Sequence, residues 1–134
     1  LLTRPISAPT MPAVRRHGLT LGTLLDIYNR EADPERSTRK HNERAAALFI
    51  AHWGRDRLVK SLAPADLETY VRARRSGVIA PNNRVGKPVR DRVLEEDITY
   101  LRTVIRWATR KRKDSEGRWL LEEDPIGDAI SIPR

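Results

Sequence analysis

Basic side chains gather at the start of a predicted helix, where an isolated helix disfavours them. The segment 36-RSTRKHNER-44 holds four cations. The start of a helix carries a partial positive charge because its first N–H groups lack partners within the helix. A bound phosphate removes that conflict, since it accepts from the N–H groups and attracts the cations. The segment therefore predicts contacts with a polyanion. Its candidate residues are Arg36, Ser37, Thr38, Arg39, Lys40, His41 and Arg44.

A second group of cations surrounds the start of the longest predicted helix. Arg84 and Lys87 lie in the segment 78–88, which is a loop by its Pro, Asn and Gly content, and Arg90 and Arg92 follow it. Such cations hold a protein on a phosphate backbone, and Arg can also donate to base edges. The later half of the same helix carries further cations, among them Arg102 and Arg106.

The charge of the whole chain favours the same kind of partner. Among 134 residues, 26 Lys and Arg stand against 18 Asp and Glu, which gives a formal net charge of +8. A basic domain of this size favours nucleic acid first and an anionic membrane surface second. The run 110-RKRK-113 adds little, because cations at the end of a helix ordinarily complement its dipole.

Several kinds of chemistry are excluded by what the sequence lacks. It contains no cysteine, so a disulfide, a thiolate metal site and a cysteine nucleophile are impossible. Its three histidines, at 17, 41 and 52, lack the spacing of a zinc site, and it has no glycine-rich phosphate loop. No apolar run approaches the roughly 18 residues that a membrane span needs. We expect no cofactor, no metal, no small-molecule substrate, no membrane partner and a cytoplasmic location.

Two acidic runs, 95-EED-97 and 122-EED-124, have the residue types of acid–base or divalent-metal sites. Neither run has a candidate nucleophile beside it. We interpret both as solvated faces or, with more weight, as partners of nearby Arg residues at helical spacing.

The elements that must position these residues are helices. The proline-rich segment 1–18 shows no sustained period, which predicts a flexible arm or linker. Over residues 19–134 apolar side chains recur mainly at helical spacing, and no segment shows convincing strand alternation. The sequence therefore predicts one helical domain after the arm.

Capping residues mark the first two of four main helices. Thr20 is a suitable cap for the first helix. The second is capped at Asp33, or begins one turn later at Ser37 or Thr38, and Gly54 stops it.

The third helix is predicted from Pro64 to Gly77, and the fourth, which is the longest, over 89–113. A brief extended piece near 118–121 and a short fifth helix near 125–131 complete the expected architecture. The fourth helix carries two adjacent apolar stripes, which predict burial against several neighbours. One consists of Leu94, Ile98, Leu101, Ile105 and Ala108, and the other of Val93, Tyr100, Val104 and Trp107.

The order and spacing of these positions resemble the N-terminal core-binding domain of tyrosine recombinases and phage-type integrases. The stretch from Thr38 through Phe49 to Gly54, followed by 62-LAPADLETYVRAR-74, is similar to that family's helix and its Leu-Thr-x-x-Asp-Leu-x-x-Tyr segment. The resemblance covers residues 19 to about 132. It implies a SAM-like, all-α fold, a small bundle of four main helices with room for a short fifth. The fourth helix resembles the family's Leu-x-x-Leu-Arg-x-x-Phe-x-Trp-Ala pattern at Ile98, Leu101, Arg102, Ile105, Trp107 and Ala108.

The resemblance implies that this domain forms half of a clamp around double-stranded DNA, with its second and fourth helices toward the major groove. It also implies assembly with other recombinase protomers on paired sites. The family's catalytic residues belong to a separate domain on the C-terminal side, so we expect no enzyme activity from this chain. The motif 41-HNER-44 spells the His-x-x-Arg of such catalytic domains, but it lacks the convergent partners that a site requires.

The acidic run 95–97 departs from the family, whose members often present Arg, Ser or Thr there. Glu repels phosphate, although it can accept a hydrogen bond from cytosine N4. The expected DNA contacts of this helix are therefore Arg90, Arg92, Thr99, Arg102 and Arg106, although Arg106 and Arg110 could equally pair with the acidic runs. Two other functions stay open. One is a helical protein-interaction module whose basic face binds an acidic protein partner. The other is part of a compact enzyme, the least favoured because the chain lacks cysteine and its histidines are scattered.

Overall fold

A computed structural model describes residues 18–32, 36–79 and 89–127, except for the side chains of residues 36 and 37. Its helices are α1 (Leu21–Glu31), α2 (Arg36–Trp53), α3 (Pro64–Ser76) and α4 (Asp91–Arg110), and a 3₁₀ turn spans Val59–Ser61. The described residues contain no strand, only two isolated bridges. The prediction of an all-α bundle of four main helices is confirmed.

Some predicted features lie outside the described residues. They are the arm over 1–17, the Asp33 cap, most of the loop 78–88 with Arg84 and Lys87, and the end of the short fifth helix.

Local hydrogen bonds and backbone geometry set the limits of α1 and α2. Thr20 Oγ1 accepts from the Thr23 N–H at 3.3 Å, which confirms Thr20 as the cap of α1. Gly54 follows α2 with a φ of +93°, a left-handed conformation that glycine adopts without steric cost. The chain then returns beside α1, where the Arg57 carbonyl accepts from the Leu21 N–H at 2.8 Å.

The start of α3 is capped from inside the helix. Ala63 has no polar side chain, so its N–H donates instead to Asp66 Oδ2 at 2.9 Å. Arg57 Nη2 donates to the same oxygen at 3.0 Å, which joins the connector before α3 to its first turn. Gly77, with a φ of +79°, ends the helix as predicted.

The fourth helix is shorter than the predicted span 89–113, because the chain folds back on its last turn. The Leu120 N–H donates to the Arg112 carbonyl at 2.8 Å, and the Leu121 N–H donates to the Ala108 carbonyl at 3.0 Å. Carbonyl groups that a longer helix would have used internally are satisfied by this returning segment.

A turn after α4 makes this return possible. The Asp114 carboxylate accepts from the backbone N–H groups of Glu116 and Arg118 at 2.8 and 3.1 Å. Lys113 and Trp119 then form an isolated antiparallel bridge, which is the brief extended piece that the sequence predicted. Lys113 Nζ lies 4.8 Å from the centroid of the Trp119 ring, a cation–π contact.

One apolar core lies between the helices. Phe49 of α2 stacks on Tyr70 of α3, with ring centroids 4.2 Å apart. The first predicted stripe of α4 is buried throughout: Leu94, Ile98, Leu101, Ile105 and Ala108. In the second stripe Tyr100 and Val104 are buried, but the prediction for Val93 is wrong, since it is 37% exposed. Tyr100 of this stripe contacts Tyr28 and Asn29 of α1. Val93 lies two turns earlier on α4, away from that contact.

A buried polar cluster joins α3 to α4. The Tyr70 hydroxyl donates to Asp97 Oδ2 at 2.8 Å, and Arg74 Nε donates to the same oxygen at 3.1 Å. Arg74 and Asp97 are each only 2% exposed. Burial raises the pKa of the Asp97 carboxyl, while the Tyr70 and Arg74 hydrogen bonds work against that rise. Asp97, the last residue of the acidic run 95–97, is therefore buried and not on a solvated face. Its partners lie on α3 and not at helical spacing on its own helix.

Replacing Arg74 should destabilise the fold strongly. We expect Arg74→Ala to lower the free energy of unfolding by about 3 to 5 kcal/mol, because Asp97 then stays buried without its charged partner. Arg75→Ala is the matched control: its partner is Asp91 at 3.0 Å, and this pair is solvent-exposed. The control should cost less than about 1 kcal/mol. Urea denaturation followed by circular dichroism measures both values.

A double variant separates the charge from the packing. In Arg74→Met combined with Asp97→Asn, no charge is buried and the Tyr70 hydroxyl keeps an acceptor. This chain should recover most of the stability that Arg74→Ala loses. Similar losses for Arg74→Ala and Arg75→Ala would contradict the assignment.

His52 connects α2 to α3 and makes stability depend on pH. Its Nε2 lies 3.2 Å from Thr69 Oγ1. Burial lowers the pKa of the imidazole from its ordinary value of 6.5, so the fold favours the neutral ring more than the unfolded chain does. The resulting stabilisation is fully present above the ordinary pKa and is lost as the pH falls through the lowered one.

Removing the titrating ring should weaken this dependence. We expect the free energy of unfolding to fall less steeply between about pH 7 and pH 5 in His52→Gln than in the parent chain. Gln retains a donor and an acceptor near Thr69 but does not titrate. Urea denaturation at a series of pH values gives both slopes, and only their difference is diagnostic, because the raised pKa of Asp97 acts with the opposite sign. Equal slopes would exclude His52 as a source.

Candidate nucleic-acid interface

An open groove of about 510 Å³ lies between the N-terminal half of α2 and the first two thirds of α4. Two tyrosines contribute apolar surface to it, Tyr28 from α1 and Tyr100 from α4. Their rings meet edge to face, with centroids 6.0 Å apart, and the Tyr100 hydroxyl donates to Asn29 Oδ1 at 2.8 Å. Burial raises the pKa of both phenols, so both are neutral at physiological pH. This part of the groove is a preformed aromatic surface.

The α2 wall of the groove consists of Thr38, His41 and Asn42. Positions separated by three and four residues share one side of a helix, which explains why these three side chains lie together. Thr38 is exposed, His41 is half-buried and Asn42 is buried. The wall therefore offers a hydroxyl, an imidazole and an amide as hydrogen-bonding groups.

The α4 wall is one exposed stripe with successive members three or four residues apart. It consists of Arg92, Glu96, Thr99 and Thr103. Arg92 Nε lies 3.8 Å from Glu96 Oε2, and the Thr103 hydroxyl donates to the Thr99 carbonyl at 2.8 Å. Glu95 also reaches the groove. Of the residues that the sequence selected, the structure thus brings Thr38, His41, Arg92 and Thr99 to a single site.

Other predicted residues lie on or next to the same two helices but do not line the groove. Arg39, Lys40 and Arg44 are exposed on the same half of α2, and Arg90 is exposed immediately before α4. The backbone of residues 36 and 37 forms the first turn of α2, while their side chains, like Arg84 and Lys87, lie outside the described part of the chain.

Two predicted residues of α4 do not line the groove. Arg106 is exposed beyond the groove. Arg102 is half-buried, and its Nε is buried with no hydrogen-bond partner among the described residues. Arg102 lies three residues after Thr99 and seven after Glu95, so it is at the edge of the groove-facing side of α4 rather than among the lining residues.

The basic run at the end of α4 has a partly structural role. Arg112 holds Glu31 of α1 in a two-pronged ion pair, with Nε–Oε1 and Nη2–Oε2 distances of 2.7 and 2.9 Å. The guanidinium lowers the pKa of the Glu31 carboxyl by hydrogen bonding and charge. This pairing agrees with the interpretation that the run 110–113 adds little evidence for a polyanionic partner.

Sequence reasoning missed the two tyrosines, Asn42 and Thr103 as groove residues, and it left open whether the acidic run that supplies Glu95 and Glu96 faces DNA. Thr103 lies four residues after Thr99, so the helical spacing alone could have added it to the stripe. Asn42 and the tyrosines gave no such signal, because only packing shows that a buried amide or a core aromatic borders a surface groove.

No family model, curated protein or solved structure matches this chain. In the described residues, no helix is long and apolar enough to cross a membrane. The same residues contain no group of three or more His, Asp or Glu side chains that could hold a metal ion. The chemistry of the groove and of the exposed cations on α2 is therefore the basis for an inference about function.

The exposed residues Lys40 of α2 and Arg92 and Glu96 of α4 should be replaceable without harm to the fold. We expect Lys40→Ala, Arg92→Ala and Glu96→Gln each to change the free energy of unfolding by less than about 0.5 kcal/mol. The reason is that Lys40 is exposed, and that the Arg92–Glu96 pair is long and solvated. Urea denaturation provides the measurement. A loss above about 1 kcal/mol for any of them would show a structural role.

Proposed function

We propose that this chain is a noncatalytic DNA-binding domain, the core-binding domain of a site-specific tyrosine recombinase or integrase. The observation that carries the proposal is the shared groove between α2 and α4, together with the exposed cations that α2 carries outside the groove. Hydroxyl, imidazole and guanidinium groups converge there from two helices in a chain with a net charge of +8. Such an arrangement suits a double helix, which presents phosphates beside base edges.

Each of the two helices has a distinct role in this proposal. Lys40 and Arg44 of α2 contact the phosphate backbone, which provides most of the affinity. The exposed stripe of α4 lies in the major groove, which is wide enough to admit an α-helix. Thr38 and His41 face the same groove as Arg92. In this proposal they set the position of α2 on the DNA relative to that of α4.

The recombinase assignment is supported by the sequence resemblance and by the four-helix order. In the proposed parent protein, a separate C-terminal domain carries out strand cleavage and joining, and several protomers assemble on paired sites. In this proposal the domain binds the DNA and contributes part of the recognition of its sequence.

Removing cations from α2 should weaken DNA binding and reduce its dependence on salt. We expect the double variant Lys40→Ala, Arg44→Ala to bind a random-sequence duplex less tightly than the parent chain. The slope of log affinity against log salt concentration should fall by about one unit for each phosphate that the variant no longer neutralises. Fluorescence anisotropy across roughly 50 to 200 mM salt measures both quantities.

The matched control removes the same charge elsewhere. Lys60 and Arg118 are exposed and line a different hollow, which shares no residue with the α2–α4 groove. The double variant Lys60→Ala, Arg118→Ala should leave the slope unchanged. Equal effects of the two double variants would mean that only net charge matters, and absence of binding by the parent chain at low salt would overturn the proposal.

One observation favours a second candidate function. The exposed cations Lys40 and Arg44 lie on the same half of α2, and such a basic face suits an acidic protein surface as well as it suits phosphate. A helical protein-interaction module with an acidic protein partner is the alternative. A parent chain that binds no duplex but a soluble acidic protein would favour that function.

A further inference from the structure

The α4 wall combines charges that a surface made only for phosphate would not combine. Arg92 attracts a phosphate group, whereas Glu96, one turn later, repels it. Both side chains are exposed, Arg92 to 90% and Glu96 to 49%, and both line the groove. A carboxylate on a DNA-facing helix is favourable chiefly where it accepts from a base amino group, and cytosine N4 is the amino group that Glu and Asp characteristically contact.

The pair is also held loosely enough to change partners. The distance of 3.8 Å between Arg92 Nε and Glu96 Oε2 exceeds that of a hydrogen bond. An exposed ion pair of this kind stabilises a helix only weakly. DNA can therefore separate the two groups at little cost, while their proximity keeps both head groups close to one base pair.

The chemistry of a C·G pair matches these two groups. In the major groove guanine presents O6 and N7 as acceptors, and cytosine presents its N4 amino group as a donor. The Arg92 guanidinium can donate to both guanine atoms, and the Glu96 carboxylate can accept from the amino group. Along the helix axis the two residues are about 6 Å apart, within reach of one base pair for side chains of this length.

Small residues continue the same stripe. Thr99 and Thr103 follow Glu96 by one and two turns, and the Thr103 hydroxyl is engaged with the Thr99 carbonyl inside the helix. Short side chains at these positions allow the helix to approach the base edges closely. The charged pair then projects furthest from this face of α4.

We infer that Arg92 and Glu96 together read one C·G base pair in the major groove. This inference rests on the proposed function and makes it more specific, because it names the sequence feature that the domain prefers. Glu96 is the residue that distinguishes cytosine, and Arg92 is the residue that recognises the guanine of the same pair.

Selection from a library of random duplexes tests the inference, followed by anisotropy titrations on the selected site and its single-base variants. The parent chain should prefer C·G over the other pairs at one position by roughly 5- to 140-fold. Glu96→Gln should lose most of that preference and shift toward adenine, the base that Gln pairs with. Arg92→Ala should relax the same position.

Glu123→Gln is the matched control, because Glu123 is an exposed carboxylate that lines the other hollow. It should leave the preference unchanged. An equal gain in affinity for all sequences in Glu96→Gln would overturn the inference, since Glu96 would then only repel DNA. Relaxation of two different positions by the Glu96 and Arg92 variants would also overturn it, because one base pair could not account for both.

The experiment separates this inference from the proposal on which it rests. Binding of duplexes with unchanged base preferences in Glu96→Gln would leave a DNA-binding domain without this readout. No binding of any duplex by the parent chain at low salt would overturn both. The three variants keep the fold intact if their unfolding curves match that of the parent chain, so weaker binding can be assigned to the surface.

Discussion

The buried cluster of Tyr70, Arg74 and Asp97 is the constraint on which the geometry of the groove depends. A carboxylate and a guanidinium at 2% exposure are unfavourable in an apolar core unless they stay together. The cluster therefore fixes α4 against α3 and also fixes the rotation of α4 about its own axis. Because Thr99 lies two residues after Asp97, it points about 200° away from the cluster. An inward Asp97 thus forces the stripe that contains Thr99 outward.

Polar contacts of α1 also help to determine the shape of the groove. Asn29 accepts from the Tyr100 hydroxyl, Glu31 binds Arg112 after α4, and Asp26 pairs with Arg55 after α2. These three polar contacts tie one short helix to the segments on both sides of the bundle. One of these contacts holds the groove residue Tyr100 directly and the other two lie outside the groove, which favours a preorganised rather than an adaptive aromatic surface.

The charges of the groove carry the most information about function. Cations at the start of a helix, which its dipole disfavours, make sense beside phosphate, whereas carboxylates on the facing stripe make sense only beside donor groups. A double helix offers both within a few ångströms, phosphate at its edge and amino groups in its major groove. A protein partner of mixed charge offers them too, and the dependence of binding on salt and on sequence distinguishes the two.

Much of the fold could be predicted because the signals are local. The Thr20 cap, the glycines that end α2 and α3, and the buried stripe of α4 depend on residues within one or two turns of each other. The cations that matter for the proposal were also visible as clusters in the chain. The burial of Asp97 could not be predicted in this way, because its partner Arg74 lies 23 residues away on another helix.

The sequence by itself determined an all-α domain, its helix limits within a few residues, and the composition of its charged segments. The tertiary structure decided that Thr38 and His41 share a groove with Arg92 and Thr99, that Asp97 turns inward, and that Arg102 lies outside the groove. The physical reason is that helix formation depends on near neighbours, whereas a site between helices depends on how each helix is rotated and packed. That rotation is set by contacts between distant residues, which have no periodic pattern in the sequence.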